Sequence, residues 1–304
     1  MSTPTSGAYS KTKVYSLLIF GITAIGFSPI LVKFATGESA FMVAAIRTGF
    51  AFLLLLPLYL AKRPELDKRE VPRKEKIMVA ASGILLGVHL ICWIASIYYT
   101  SVASASVLVT IHPIALIVFE RYVYKFRFPI TVWVGVITAF AGSVVLGYSD
   151  FESDSIHQNP LLGNSLAALA AFIFAGYFLI GNKVRQHRNW LEYVFPVYGW
   201  AALTCAVALF IIDGVPTHVS GLVVLLGFAL AVGPQIAGHG SLNYAVKYVS
   251  PTLIATLILF EPVASSVMAF IFFGEIPLPL SFVGMGIILV GISLTWAKKS
   301  DQKE

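Results

Sequence analysis

Apolar residues run along this chain in ten long blocks, at roughly 15–33, 40–61, 77–98, 102–124, 129–149, 161–181, 191–212, 221–243, 250–273 and 279–297. Short polar or turn-forming pieces divide them, such as "KFATGES", "AKRPELDKREVPRKEK" and "SDFESDSIHQNP". Most blocks approach the roughly 20 apolar residues that a helix needs to cross a bilayer. Backbone polar groups facing lipid must be satisfied inside the segment, and runs this long suit helices rather than barrel strands. The pattern therefore predicts an all-α integral membrane protein with ten transmembrane helices, and no connector is long enough to hold a soluble domain.

Composition agrees. Of 304 residues, 58% are hydrophobic and 12% charged, with a mean hydropathy of +0.84. A soluble domain carries about 25% charged residues, so this chain is too poor in charge to cover a water-facing surface. The net charge of +6 reads as topology and not as a nucleic-acid surface, because the lysines and arginines alternate. They cluster before the first block (Lys11, Lys13), in the second connector (Lys62 to Lys76), and after the fourth (Lys125, Arg127), sixth (Lys183, Arg185, Arg188), eighth (Lys247) and tenth (Lys298, Lys299, Lys303). The other connectors carry Asp150, Glu152, Asp154, Asp213 and Glu275. The positive-inside rule then places both termini in the cytoplasm. The second-connector cluster is expected either as a solvated loop or against anionic lipid headgroups. The polar start "MSTPTSGAYSKTK" predicts an uncleaved first span. Cys92 and Cys205 fall inside apolar runs and read as packing residues.

The chain also repeats itself. The segment from Thr100 to Leu146 aligns with that from Val249 to Thr295 at a constant offset of 149 residues and without a gap. Pro113 meets Pro262, Gly135 meets Gly284, Gly142 meets Gly291, and His112 lies opposite Glu261. The starts of the halves agree only in apolar and small-residue pattern. Five helices per half is an odd number, so the second half enters the membrane in the opposite sense. Two inverted five-helix repeats, 15–149 and 161–297, are expected between cytoplasmic tails at 1–14 and 298–304. Inverted repeats are a construction of secondary transporters, with substrate held near the midplane between the halves.

In "GFSPILVKFATGESAFMVAAIRTGFAFLLLLPLYL" and in the two half-ends, "IHPIALIVFERYVYKFRFPITVWVGVITAFAGSVVL" and "LFEPVASSVMAFIFFGEIPLPLSFVGMGIILVGISL", the chain resembles the EamA-like family of the drug/metabolite transporter superfamily. The first half departs from the pattern, with His112 where the second has Glu261 and Arg127 near the place of Glu275. The resemblance implies a ten-helix carrier of the cell (inner) membrane, often an exporter of amino acids or related metabolites.

A carboxylate at the centre of a span costs roughly 2.5–3.5 kcal/mol to insert, so Glu261 is expected toward the bundle interior or a water-filled cavity. Two readings stand open: a structural tie between helices, or contact with a substrate amine or a driving proton. Arg47, two turns into the second span, needs Glu261, Glu38, carbonyls or a substrate carboxylate. His112 with Glu261 offers a base and an acid, a pairing suited to zwitterions. His89 and Cys92 share a helical face, but packing outweighs a metal there. Trp93 is a cavity wall or plain packing. Gln235, His239 and Asn243 are cavity candidates or interhelical hydrogen-bond partners. Pro113 and Pro262 should bend their helices and free the carbonyls of Val109 and Ile258. Gly233, Pro234, Gly238 and Gly240 should break or tighten the eighth helix, with Gly233 and Pro234 acting as hinges beside Pro113 and Pro262. Lys33 should snorkel. Tyr98, Tyr99, Tyr148, Trp190 and Trp296 fit interfacial belts, and Glu120 with Arg121 an exposed ion pair.

No phosphate-binding loop, H-E-x-x-H or G-x-S-x-G motif occurs, so no enzyme, cofactor, metal or nucleic-acid partner is expected. The expected function is a secondary active transporter, an exporter of small metabolites working by alternating access, with a proton as candidate coupling ion. Alternatives are a passive channel, a nucleotide-sugar or drug carrier of the same superfamily, and a receptor or structural membrane protein.

Overall fold

The computed structural model describes residues 10–66, 71–100, 102–151, 159–273, 276 and 278–296. Lys68, Arg69, Glu152, Asp154, Glu275, Lys298, Lys299 and Lys303 lie outside the described residues, as do 1–9 of the amino-terminal tail. Among the described residues every regular element is helical. The order is α1 (Lys11–Gly26), α2 (Ser28–Phe34), α3 (Ala40–Leu66), α4 (Arg73–Tyr99), α5 (Val102–Val109), α6 (His112–Tyr122), α7 (Ile130–Phe151), α8 (Pro160–Arg185) and α9 (Trp190–Ile212). Then come α10 (Gly221–Leu230), a π-helical stretch (Ala231–His239), α11 (Gly240–Ala245), α12 (Pro251–Ile258), α13 (Glu261–Phe273) and α14 (Pro279–Trp296). Nine single or joined helices among the described residues are long and apolar enough to cross a membrane, while α7 offers a shorter apolar stretch, Ile130–Leu146.

Polarity is distributed inside out. Ile211, Leu225 and Ile137 face outward, whereas Arg47, Arg185 and Tyr177 are among the most buried large side chains. Helix starts are capped where the sequence supplies the residues: Ser10, Asn159, Ser220 and Ser250 each accept from a backbone N–H of their first turn, and Asn189 with Glu192 forms a capping box.

The matched prolines do more than bend. The fourth apolar block splits at Thr110–Ile111 into α5 and α6, and the ninth at Leu259–Phe260 into α12 and α13. A proline cannot donate to the previous turn, but it fits the first turn of a new helix. Each chain segment therefore stops and restarts with its proline second in line. The ranges of α5 and α12 are 149 residues apart at both ends, as are the starts of α6 and α13. Phe27 marks a further break, between α1 and α2, again just before a proline, Pro29. That block was expected to be one helix. The eighth block is neither broken nor tightened but widened, into a π-helix of nine residues around Pro234.

Helices α7 and α14 meet closely. A Cβ on Gly142 would stand 2.6 Å from the Ile288 nitrogen, and one on Gly284 would stand 2.7 Å from the Leu146 nitrogen. Gly135 abuts Gly291 and Thr295, and Gly291 abuts Ala139. Later residues of one helix meet earlier residues of the other, so the pair runs antiparallel. The contact is also reciprocal: Leu146 and Thr295 are 149 apart, as are Ala139 and Ile288. A contact that maps onto itself in this way has a local two-fold axis, perpendicular to both helices.

Candidate functional site

The breaks, the end of α1, the second turn of α3, the later half of α4, the middle of α8, the π stretch and α11 converge on one small cavity of about 40 Å³. Room for a buried water begins at roughly 10–15 Å³ on this measure, so the space holds water-sized contents and no metabolite. Arg47, His89, Trp93, His112, His239 and Glu261 all line it, together with Pro234. Six scattered polar or aromatic residues of the sequence are thus brought to one place.

Arg47 is buried, and its guanidinium is held by two neutral groups. Nε donates to Gln235 Oε1 at 2.9 Å and Nη1 to Ser28 Oγ at 3.3 Å. Neither Glu261 nor Glu38 is among its hydrogen-bond partners; Glu38 instead accepts from Ser220. Glu261 shares the cavity lining with Arg47. Because Gln235 Oε1 must accept from the arginine, the amide orientation is fixed, and its Nε2 is left buried without a partner.

The histidines are similarly constrained. A carbonyl can only accept, so His89 donates from Nδ1 to Ala170 O at 2.9 Å and His112 from Nδ1 to Val109 O at 2.7 Å. Val109 O is the carbonyl that Pro113 leaves without its helical partner. Nε2 of a neutral His112 is then an acceptor, buried and unpartnered, and His239 Nδ1 is unpartnered too. Buried polar atoms without partners are rare in folded proteins. Here three of them, on Gln235, His112 and His239, belong to residues that line the cavity or hold its arginine.

Of the other expected site residues, Asn243 lies beside the cavity and not in its lining, donating Nδ2 to Tyr177 Oη at 2.6 Å. Gln235 also stands behind the lining, as the support of Arg47. Pro113 and Pro262 sit in the first turns of α6 and α13. Gly233 faces a separate apolar groove between α1 and the π stretch, where a Cβ would meet nothing within 4 Å. Among the described residues no three His, Cys, Asp or Glu side chains converge to hold a metal.

The sequence reading missed Phe174, whose ring lies 4.7 Å from that of His112 and 5.2 Å from that of His89. Nothing separates it locally from the other aromatics of "AAFIFAGYFLIG". The signal was the offset: Ile25 and Phe174 are 149 apart and both line the cavity. So do Leu90 and His239, Trp93 and Leu242, Val109 and Ile258, and His112 and Glu261. The cavity therefore draws on equivalent positions of both halves, filled by unlike residues at every pair but Val109 and Ile258.

Polar ties close the bundle at both ends. At one, Ser39 donates to Asp213 and Ser220 to Glu38, while Tyr98 Oη donates to Ala35 O at 2.8 Å. At the other, Arg188 pairs with Glu75, Arg185 Nε donates to Asn243 O at 2.8 Å, and Trp190 Nε1 donates to Gly240 O at 2.7 Å. Tyr98 and Trp190 thus tie helices together besides lying near span ends. Glu120 corrects the expectation of an exposed ion pair. It is buried, and accepts from Thr252 N at 2.9 Å and from the Thr252 hydroxyl, capping the first turn of α12. A carboxylate is favoured there by the free N–H groups and the helix dipole.

The model of the EamA-like transporter family matches the chain twice, over residues 12–148 and 161–297. The pseudopaline exporter CntI of Pseudomonas aeruginosa is 24% identical over 265 residues, spanning 86% of this chain and 87% of that protein. The uncharacterized transporter YdfC of Bacillus subtilis is 24% identical over 201 residues, 65% of this chain and 63% of that protein. A crystal structure at 17% identity superposes with a TM-score of 0.75 over 94% of this chain and 96% of its own, and so shares the fold.

Proposed function

Because the chain belongs to the EamA-like transporter family, we propose that this multi-pass membrane protein is a secondary active exporter of amino acids or related small metabolites. In this reading ten helices form two inverted five-helix repeats in the inner membrane, with both termini in the cytoplasm. The antiparallel, reciprocal contact of α7 and α14 supports the inversion, and the matched breaks support the equivalence of the halves.

The observation that carries the proposal is the central cavity, lined by Arg47 and Glu261, with polar ties between helices on either side of it. Ionisable residues inside a bilayer are costly and by default mark a functional site. Arg47, held by Gln235 and Ser28, presents a fixed cation for a carboxylate. Glu261 presents an acceptor for an amine, or a carboxyl that takes up a proton when the substrate leaves. Opening the ties at one end and then at the other exposes the same cavity in turn, as inverted repeats permit. A cavity too small for a metabolite, with helices tied to one another on either side of it, fits a carrier better than an open pore. The unpartnered atoms of Gln235, His112 and His239 supply further contacts for a polar substrate.

The test is counterflow in proteoliposomes loaded with unlabelled amino acids, each assayed with its labelled form. Saturable exchange that is lost in Arg47→Met supports the carrier. Non-saturable flux of high rate would replace it with a channel.

A further inference from the structure

We propose that Phe174 is the size filter of this cavity: its ring, and not the reach of the polar groups, sets the largest molecule the closed site can hold. The inference deepens the carrier reading and rests on it. Phe174 is the one residue that α8 contributes to the lining, and Ala170 and Ala171 occupy the preceding turn. The ring is stacked on Phe178 at 5.3 Å between centroids and meets Tyr177 edge-on at 5.7 Å, so it is braced from behind. In front it reaches three imidazoles, those of His112, His89 and, at 6.0 Å, His239.

The equivalent position in the first half is Ile25, also in the lining. One side of the site thus carries an aliphatic group where the other carries a ring, and the ring occupies volume between the polar groups that would contact a substrate. Truncating a buried ring leaves a void when its neighbours are held in place. The brace behind Phe174 and the helix packing around it meet that condition. Phe174→Ala therefore enlarges the site without removing any of its hydrogen-bonding groups, and Phe174→Trp narrows it.

The experiment uses the full chain with Cys92 and Cys205 replaced by serine and a single reporter, Val109→Cys, in the cavity wall. Methanethiosulfonate reagents graded from methyl to a bulky aromatic label the protein in liposomes. The ratio of the labelling rate of the largest reagent to that of the smallest should rise from Phe174→Trp through Phe174 and Phe174→Leu to Phe174→Ala. The rise from Phe174 to Phe174→Ala should be at least tenfold. Phe174→Leu keeps the series readable if the alanine variant does not fold. A ratio that stays constant across the series overturns the filter, as does a fall in rate that is equal for every reagent, or no labelling in any variant. Counterflow of amino acids from glycine to tryptophan runs alongside. If the wild type exchanges none of them, the proposed substrate class fails, while the labelling ratio still decides the role of Phe174.

Discussion

The two broken spans are built alike and charged differently. α5 and α6 part at the same register as α12 and α13, and each restarts with a proline second in line. At the first break His112 turns its Nδ1–H back onto the carbonyl of Val109, so the polar residue satisfies its own backbone. At the second, Glu261 in its ionised form has no proton to donate. It cannot repeat that bond, and it lines the same cavity as Arg47 instead. The first break also carries a latch, because Glu120 on α6 caps α12, whereas the equivalent position of the second half is alanine, Ala269. A repeated backbone device thus carries a histidine that bonds its own backbone in one half and an ionisable carboxyl in the other.

That contrast can be broken or sharpened by substitution. The largest effect is expected where the halves meet. Gly291→Ala drives a methyl group into Ala139 and should cost roughly 1–3 kcal/mol of stability, the usual range for overpacking. Gly286→Ala, where a Cβ meets nothing within 4 Å, should be neutral or gain roughly 0.5–1 kcal/mol from helix propensity. Melting in detergent compares the two, and equal behaviour would remove the tight seam. Next comes Glu261→Gln, which keeps the shape of the side chain and loses its charge. Exchange should fall by about tenfold, equivalent to about 1.4 kcal/mol, and the remainder should lose any pH dependence. A wild-type rate with unchanged pH dependence would leave Glu261 a structural tie. Thr252→Val removes the hydroxyl that Glu120 accepts from and should destabilise the protein by about 1 kcal/mol. An unchanged melting point would show the latch to be idle. The smallest effect is expected from His112→Gln, whose amide can still donate to Val109 O, with exchange reduced by roughly fivefold or less, about 1 kcal/mol. A loss greater than that of Glu261→Gln would reverse the assignment of roles.

Much of this architecture could be read in advance. Hydropathy located the helices because a membrane-spanning segment must satisfy its backbone internally and cover it with apolar side chains. The offset of 149 residues located both proline breaks. What local sequence did not reveal were the consequences of packing. Glu120 looked like half of an exposed ion pair because Arg121 follows it, yet its partner, Thr252, comes from the other half of the chain. Arg47 was expected to reach a carboxylate, carbonyls or the cavity; it lines the cavity, and its hydrogen-bond partners, Gln235 and Ser28, could not be picked out from the sequence. The widened turn around Pro234 is visible in composition only as a group of glycines beside a proline, a pattern that fits a break, a kink or a π-helix equally well.

The amino-acid order alone determined that the chain is helical and apolar enough for a bilayer, roughly where its apolar blocks lie, and which positions correspond between Thr100–Leu146 and Val249–Thr295. Each of these follows from the local demands of backbone hydrogen bonding and from repetition along the chain. Only the tertiary structure decided that Ile25 and Phe174, His112 and Glu261, and Leu90 and His239 share one wall with Arg47, and which buried nitrogens are left without partners there. Contacts between residues more than a hundred positions apart depend on how helices cross, and crossing is set by the fit of small residues such as Gly142 and Gly284 against the opposite backbone.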